Sequence, residues 1–251
     1  MIHFVGAGPG ATDLITIRGA KLLSQADVII YAGSLVNPEL LKMCKPSCEI
    51  HDSAYMTLDE VTEKFEEAEK NGLTTVRLHT GDPSIYGAIR EQMDKLKTMG
   101  IDYDITPGVS SFCAAAAAAE VEYTLPNVSQ TVIITRMEGR TPVPVKEKLE
   151  LLASHQTSMV LFLSSSLLKE SCDALISGGY KPETKAVMVY KASWPEQKVL
   201  KATIETLPSL AEKEGIKNTA LILIGDFLGD DYELSKLYDK NFSHMFRQAK
   251  E

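Results

Sequence analysis

The stretch Thr75–Gly87 decides the fold, and it reads Thr-Val-Arg-Leu-His-Thr-Gly-Asp-Pro-Ser-Ile-Tyr-Gly. Its first five residues alternate between two faces, which predicts a β-strand. Asp82 and Pro83 then predict a helix start, because Asp caps free N–H groups and Pro lacks the N–H that a first turn leaves unpaired. We expect this helix to end at Gly100. Ligands bind at such strand ends in open α/β sheets, although helix capping alone would also explain Asp82.

The composition of the 251-residue chain is that of an ordinary soluble protein, with 44% hydrophobic and 24% charged residues. A formal net charge of −8 argues against a nucleic-acid partner, because a polyphosphate is held by a basic surface. No apolar run reaches the length of a membrane span, and a strand begins at the N-terminus, so neither a membrane anchor nor a signal peptide is expected.

The cysteine pattern favours a reducing compartment and no metal site. Only two of the four cysteines are close in sequence, and with one nearby histidine they make a weak set of ligands. We therefore expect a cytoplasmic protein whose thiols are reduced and mostly buried. The four residues are Cys44, Cys48, Cys113 and Cys172.

The first strand, Ile2–Val5, leads into a glycine-rich turn, Gly6–Ala11. The spacing of this turn matches a dinucleotide fingerprint, which would indicate a nicotinamide enzyme. Two features oppose that interpretation. The next helix is predicted to begin only at Thr16, and the strand Asp27–Ala32 ends without the acidic residue that holds a ribose hydroxyl. The turn is instead expected to bring bare backbone against another ligand or another chain segment.

A further turn, Pro107–Ser111, follows the predicted strand Tyr103–Thr106 and precedes a helix that contains six consecutive alanines. Alanine has the highest helix propensity and lets a helix pack closely against a neighbour or a ligand. Ser110 or Ser111 would lie at the N-terminus of this helix, where free N–H groups and hydroxyls suit a carboxylate or a ribose.

Strands and helices alternate in the first half of the chain, which predicts a mostly parallel sheet. The pattern restarts near Tyr123, and adjacent strands in the second half favour a mixed sheet. We therefore predict two α/β domains, residues 1–122 and 123–229, followed by a peripheral polar tail of residues 230–251.

Four motifs together resemble those of the S-adenosylmethionine-dependent tetrapyrrole (precorrin) methyltransferase family: Gly6–Gly10, Thr80–Gly87, Pro107–Ser111 and Tyr190–Ser193. They occur in the order and at the spacing of that family, over residues 1 to about 228. Within the family, three further stretches resemble the precorrin-4 C11-methyltransferase branch of cobalamin biosynthesis: Ser34–Val36, Thr131–Pro144 and Lys191–Pro195.

The resemblance implies an enzyme that transfers a methyl group from S-adenosylmethionine to C11 of precorrin-4 or cobalt-precorrin-4. It also implies a homodimer, no protein-bound metal, and a cofactor in the cleft between the two domains. The cofactor contacts that it places on this sequence are Pro9, Thr80, Gly81, Asp82, Ile85, Ser110, Ser111, Phe162, Leu163, Ala192 and Leu223. Leu163 and Leu223 would also be core residues in any fold of this class.

The expected chemistry asks little of side chains, because a sulfonium methyl is electrophilic and a pyrrole carbon is nucleophilic. The protein has to align the two and exclude water. Asp82 is the candidate for an electrostatic catalytic role. Arg136 and Arg140, with Lys191 as a further candidate, are predicted to bind the carboxylates of the tetrapyrrole, because arginine makes forked contacts. Ordinary exposed arginines are the alternative interpretation.

Other functions stay open at this point. The chain would fit a methylase of another precorrin position or of uroporphyrinogen III, a protein-modifying relative similar to diphthine synthase, or a non-catalytic protein that binds S-adenosylmethionine. Thr80 opposes the uroporphyrinogen branch, which more usually has glycine at this position. The sequence leaves open whether the substrate carries cobalt. His3, His79 and His155 are predicted to be structural or exposed.

Overall fold

The structure is a computed structural model that describes residues 1–33 and 35–249. Ser34, which belongs to one motif of the resemblance, and the last two residues of the predicted tail lie outside the described residues. The chain divides into two compact units. The first unit comprises Met1–Ala115 together with Lys191–Gln197, and the second comprises Ala116–Tyr190 and the residues from Lys198 onward. The domain limits predicted at residues 122 and 229 stay a prediction.

The first unit contains a five-stranded sheet in the order β3-β2-β4-β1-β5, and every pair of neighbours is parallel. The prediction of a parallel sheet is confirmed. The strands are β1 (Ile2–Gly6), β2 (Val28–Tyr31), β3 (Glu49–Asp52), β4 (Thr75–His79) and β5 (Tyr103–Thr106). The helices are α1 (Ile17–Gln25), α2 (Leu58–Lys70), α3 (Arg90–Met99) and the first part of α4 (Ser111–Ala119), whose residues from Ala116 onward belong to the second unit.

Both faces of this sheet are covered by apolar side chains, because successive residues of a central strand point to opposite faces. Phe4 packs with Phe65 on one face, whereas Val5 packs with Leu23 on the other. All five residues of β4 are buried. The carboxyl ends of the central strands therefore lie next to each other on a rigid layer.

The helix predicted to begin at Asp82 begins instead at Arg90. The intervening loop cannot be helical, because Tyr86 and Ala88 have φ angles of 55° and 50°. Such left-handed conformations in non-glycine residues cost energy and concentrate at functional loops. The predicted end of the helix at Gly100 is confirmed, with this residue in the left-handed conformation at φ 69°.

The second unit contains a mixed five-stranded sheet in the order β6-β7-β10-β8-β9, as predicted. Strands β6 and β7 pair in parallel, and the other pairs are antiparallel. The strands are β6 (Val132–Arg136), β7 (Ser158–Phe162), β8 (Lys185–Tyr190), β9 (Lys198–Thr203) and β10 (Ala220–Ile224). The helices are α5 (Leu149–Ala153), α6 (Leu168–Ser177) and α7 (Leu207–Lys213).

The prediction of mostly buried thiols is wrong, since only Cys172 is buried. Cys44 and Cys48 are half-buried beside the edge strand β3, and Cys113 is exposed on α4. All four cysteines are free thiols. Within the described residues, no group of three or more metal-ligating side chains is close enough to hold a metal ion. None of the described helices is long and apolar enough to span a membrane.

Candidate functional site

Three turns meet at the carboxyl ends of β1, β4 and β5 in the first unit. Gly8 and Gly81 exchange two backbone hydrogen bonds, with N···O distances of 3.2 Å and 2.9 Å. A Cβ atom on Gly6 would lie 2.5 Å from Cα of Gly108 and 2.6 Å from the carbonyl oxygen of Gly81. Side chains would force these turns apart, so glycine is needed for the backbones to approach. We call the surface formed by these three turns the strand-end surface.

Asp82 ties two of the three turns together. Its carboxylate accepts hydrogen bonds from the backbone N–H of Gly108 at 2.8 Å and from the backbone N–H and hydroxyl of Ser84. Partial burial opposes ionisation of Asp82, but the hydrogen bonds from Ser84 and Gly108 outweigh it and lower the pKa of this carboxyl below its ordinary value. An ionised Asp82 thus positions the loops of β4 and β5, and no helix cap is involved. Its electrostatic role in catalysis stays a prediction.

A buried arginine in β4, which was not predicted to be a functional residue, supports the loop that follows this strand. Arg77 donates from Nε to Oε1 of Gln92 at 3.0 Å and from Nη1 to the carbonyl of Ile30 at 3.2 Å. Gln92 in turn donates to the carbonyl of Ala88 at 3.1 Å, which fixes the far end of the loop. Burial lowers the pKa of Arg77 to about 10. A charged residue between the apolar Val76 and Leu78 was the available signal, since a charged side chain is seldom buried without a partner.

His79, the last residue of β4, is buried below the same loop. Its Nε2 atom is buried and has no hydrogen-bond partner among residues 1–33 and 35–249, and its ring stacks on Phe4 with centroids 6.1 Å apart. Burial, with a smaller contribution from the charge of Arg77, lowers the pKa of His79 to about 3. The imidazole is therefore neutral in the folded protein at physiological pH. Of the two predicted alternatives, exposed or structural, its burial excludes the first, and a structural role stays a prediction.

We expect acid to destabilise the fold through His79. The unfolded chain binds a proton at this residue near its ordinary pKa of 6.5, whereas the folded chain binds it only near 3. Between these values the unfolded state holds more protons, so stability falls as the pH falls, by up to ~1.4 kcal/mol per pH unit. Urea unfolding at several pH values measures this slope, which should be smaller in His79→Phe. Equal slopes in both proteins would contradict the assignment.

The glycine-rich turn after β1 is held by other parts of the first unit. The backbone N–H of Ala11 donates to Oγ of Ser193 at 3.0 Å, and Nε1 of Trp194 donates to the carbonyl of Pro9 at 3.1 Å. Nδ2 of Asn37 donates to the carbonyl of Gly10 at 2.8 Å. The expectation that this turn meets another chain segment is confirmed. A pattern within the turn could not show which segment, because the contact is remote in sequence.

The first unit brings several of the predicted cofactor residues to the strand-end surface. A Cβ atom on Gly81 would lie 3.5 Å from Cα of Ser110 and from N of Ser111. Ser110 is buried, and Ser111 opens α4. The predicted residues in this unit are Pro9, Thr80, Gly81, Asp82, Ile85, Ser110, Ser111 and Ala192. Their contacts with a cofactor stay a prediction.

The second unit contains the remaining predicted cofactor residues. Phe162 ends β7, and its register partner is Arg136 at the end of β6. Leu223 is fully buried in β10, as expected of a core residue. The same expectation is wrong for Leu163, which is 62% exposed with φ 52°, because it lies just past the end of β7. An exposed apolar side chain on strained backbone is typical of a residue placed for binding.

The two predicted substrate arginines differ in their surroundings. Arg136 is half-buried, and its guanidinium donates to the carbonyls of Met137, Thr141 and Pro142 at 3.3, 3.2 and 2.8 Å. It therefore closes the loop that carries Arg140, which is exposed. The third candidate, Lys191, lies in the first unit. Its Nζ is 5.3 Å from the ring centroid of Trp194 and 3.6 Å from Oε1 of Glu196. Substrate contacts of the three stay a prediction.

The chain is an α/β protein with glycine backbone at the carboxyl ends of parallel strands, which is where small molecules bind in open α/β sheets. The chain belongs to the family of tetrapyrrole (corrin/porphyrin) methylases, whose family model matches residues 1–208. A cobalt-precorrin-4 C(11)-methyltransferase of Methanocaldococcus jannaschii is 54% identical over 249 residues, which cover 99% of this chain and 96% of that protein. A precorrin-4 C(11)-methyltransferase of Mycobacterium tuberculosis is 42% identical over 228 residues, covering 90% and 91%.

Solved structures agree with this family. The X-ray structure of a cobalamin biosynthetic enzyme, cobalt precorrin-4 methyltransferase, matches with a TM-score of 0.89 at 48% identity, covering 91% of this chain and 96% of that one. A uroporphyrin-III C-methyltransferase of Thermus thermophilus, solved with S-adenosyl homocysteine, matches with a TM-score of 0.75 at 22% identity, covering 90% and 92%. The second likeness establishes the shared fold alone.

Proposed function

We propose that the protein transfers the methyl group of S-adenosylmethionine to C11 of cobalt-precorrin-4 in cobalamin biosynthesis. The observation that carries this proposal is 54% identity over 99% of the chain with a protein named for this reaction. A second relative with the cobalt name, from Priestia megaterium, is 48% identical, whereas the precorrin-4 relative of Mycobacterium tuberculosis is 42% identical. This order favours the substrate that carries cobalt.

The residues of the strand-end surface fit S-adenosylmethionine. Gly81 lies close to the N-terminus of α4, where the hydroxyls and N–H groups of Ser110 and Ser111 suit a ribose or a carboxylate. Asp82 fixes the two turns that border this space. When bound, the cofactor supplies an electrophilic methyl group. The residues of this chain bind and orient it and exclude water, which is the main requirement of this reaction.

The second unit supplies the other residues of the proposal. We propose Phe162 and the exposed Leu163 as cofactor contacts, together with Leu223 in the adjoining core. We propose that Arg140 binds the substrate carboxylates, because it is exposed on a loop that Arg136 closes. Charge-assisted contacts to a carboxylate are roughly twice as strong as neutral ones, which suits a polyanionic substrate of a net acidic protein.

The alternatives have weaker support. A uroporphyrinogen-III C-methyltransferase of Bacillus subtilis is 33% identical, over less than half of its own length. Diphthine synthase matches at 18% identity, which supports a shared fold only. A non-catalytic binding protein would hold the cofactor without turnover.

Incubation with methyl-labelled S-adenosylmethionine and a panel of tetrapyrroles tests the proposal. We expect label in cobalt-precorrin-4, slower transfer to metal-free precorrin-4, and none to uroporphyrinogen III. Faster transfer to the metal-free compound would reverse the preference for cobalt. Tight cofactor binding without transfer to any of them would support the non-catalytic alternative.

A homodimer and a cytoplasmic location complete the proposal. The homodimer rests on the resemblance alone, and the location rests on the thiol pattern, since the fold by itself dictates neither. Light scattering at micromolar protein concentration should give twice the monomer mass of 27.5 kDa. A monomer mass would contradict the homodimer and leave the proposed reaction intact.

A further inference from the structure

The segment Lys191–Gln197 belongs to the first unit although it lies between two strands of the second, β8 and β9. Its backbone is strained, because Lys191 and Ser193 have φ angles of 45° and 68°. Left-handed conformations of non-glycine residues cost energy that the surrounding contacts have to offset. The contacts of this segment with the glycine-rich turn are therefore expected to do more than connect β8 to β9.

Trp194 of this segment packs on the turn. Its Nε1 atom donates to the carbonyl of Pro9 at 3.1 Å. A Cβ atom on Gly10 would lie 2.1 Å from both Cδ1 and Nε1 of the indole, so the ring occupies the space that any side chain at residue 10 would need. One indole thus fixes two successive residues of the turn, by a hydrogen bond and by packing.

Ser193, which precedes Trp194, adds a second contact between this segment and the glycine-rich turn. Oγ of Ser193 accepts the hydrogen bond of the Ala11 N–H, so adjacent residues of one segment hold the turn at Pro9 and at Ala11. Ser193 is itself fixed, since its N–H donates to Oε1 of Gln197 at 2.7 Å. The same turn is bridged to the loop of β4 through Gly8. A shift of the indole would therefore be transmitted to the strand-end surface.

We propose that Trp194 is a positioning residue, which holds the glycine-rich turn in the conformation that binds the cofactor. This inference rests on the proposed function, because the turn matters for the reaction only if S-adenosylmethionine binds there. Trp194 acts through Pro9 and Gly10 and needs no contact with the reacting atoms.

Trp194→Phe tests the inference, because phenylalanine keeps an aromatic ring and removes the Nε1–H donor. Calorimetric titration with S-adenosylhomocysteine should show binding weakened by about three- to tenfold, the range for one lost hydrogen bond. KM for S-adenosylmethionine should rise while kcat stays nearly unchanged. Tyr55→Phe is the matched control, since it removes a polar hydrogen from an exposed aromatic residue of the same unit. The control should bind like the wild type.

Two readouts separate this inference from the proposed function. Amide hydrogen exchange of Gly6–Ala11, measured without ligand, should be faster in Trp194→Phe than in the wild type. The chain has one tryptophan, so its fluorescence should change when S-adenosylhomocysteine binds to the wild type. Unchanged affinity and exchange in the variant would overturn the inference and leave the proposed function standing. Absence of binding to the wild type would overturn both the proposed function and the cofactor role of Trp194.

A double-mutant cycle tests the packing contact directly. Gly10→Ala should weaken cofactor binding in the wild type, because the added Cβ displaces the indole. In a Trp194→Ala background the same change should have a smaller effect, since the indole no longer occupies the space and only the strain of the positive φ at residue 10 remains. Equal effects of Gly10→Ala in both backgrounds would show that the indole contact does not position the turn. Circular dichroism verifies that each variant is folded.

Discussion

Gly6→Ala is expected to lower cofactor affinity at least ~tenfold and the free energy of unfolding by ~2–3 kcal/mol. The added Cβ would lie 2.5 Å from Cα of Gly108 and 2.6 Å from the carbonyl oxygen of Gly81. These contacts are with backbone, which cannot rotate away, so the turns have to separate. The geometry of the strand-end surface would then be lost. Calorimetry with S-adenosylhomocysteine and urea unfolding measure the two effects.

Gly72→Ala provides the matched control for this prediction. A Cβ atom on Gly72 would meet nothing within 4 Å, and the residue follows helix α2. Its positive φ of 66° should cost about 1 kcal/mol of stability when alanine replaces glycine, without any effect on cofactor affinity. Wild-type affinity in Gly6→Ala would show that the close approach of the turns is unrelated to cofactor binding.

Arg140→Ala is expected to weaken tetrapyrrole binding about tenfold or more while cofactor affinity stays the same. The substrate carries several carboxylates, and a charge-assisted contact with an arginine contributes roughly 1.5–3 kcal/mol. Arg140→Lys should restore only part of the loss, because lysine cannot form a forked contact. The substrate KM, measured at saturating S-adenosylmethionine, checks both changes.

Arg136→Ala provides the comparison that the structure makes possible. Arg136 donates to three carbonyls of the loop that carries Arg140, so its removal should loosen the loop and lower stability as well as substrate affinity. Arg140→Ala should leave the urea unfolding curve unchanged, because its side chain is exposed. An unchanged substrate KM in both Arg140 variants would exclude this loop as the docking point. Lys191 would then be the next residue to test.

The sequence was sufficient to predict both sheets, because most of their strands are short runs rich in β-branched and aromatic residues bounded by turn residues. The alternation of strands and helices indicated the parallel sheet of the first unit, and the adjacent strands of the second indicated a mixed sheet. The delayed start of α1 after Thr16, which opposed a dinucleotide site, is also confirmed. These features depend on local periodicity and capping, which a single sequence displays.

The loop after β4 could not be predicted, because its conformation contradicts local preferences. Asp82 followed by Pro83 is a favourable helix start, but the carboxylate is used to bind Gly108, a residue remote in sequence. Tyr86 and Ala88 adopt left-handed conformations that neither residue type favours. Local preference and the actual structure diverge at the candidate site, where such divergence is most expected.

Contacts between segments that are remote in sequence were the second feature that could not be predicted. Arg77 is recognisable as a charge between two apolar strand residues, but its link through Gln92 to the loop depends on contacts that the sequence does not display. The position of Trp194 on the glycine-rich turn likewise follows from topology, since the segment belongs to the first unit. Spacing within a motif does not encode such contacts.

The position of the transferred methyl group tests the central claim most directly. The purified protein would be incubated with ¹³C-methyl S-adenosylmethionine and cobalt-precorrin-4, and the product examined by carbon NMR. We predict one new labelled methyl group, attached to C11 of the macrocycle. A labelled methyl group on any other carbon, or no label in the product while the cofactor binds tightly, would contradict the proposed function.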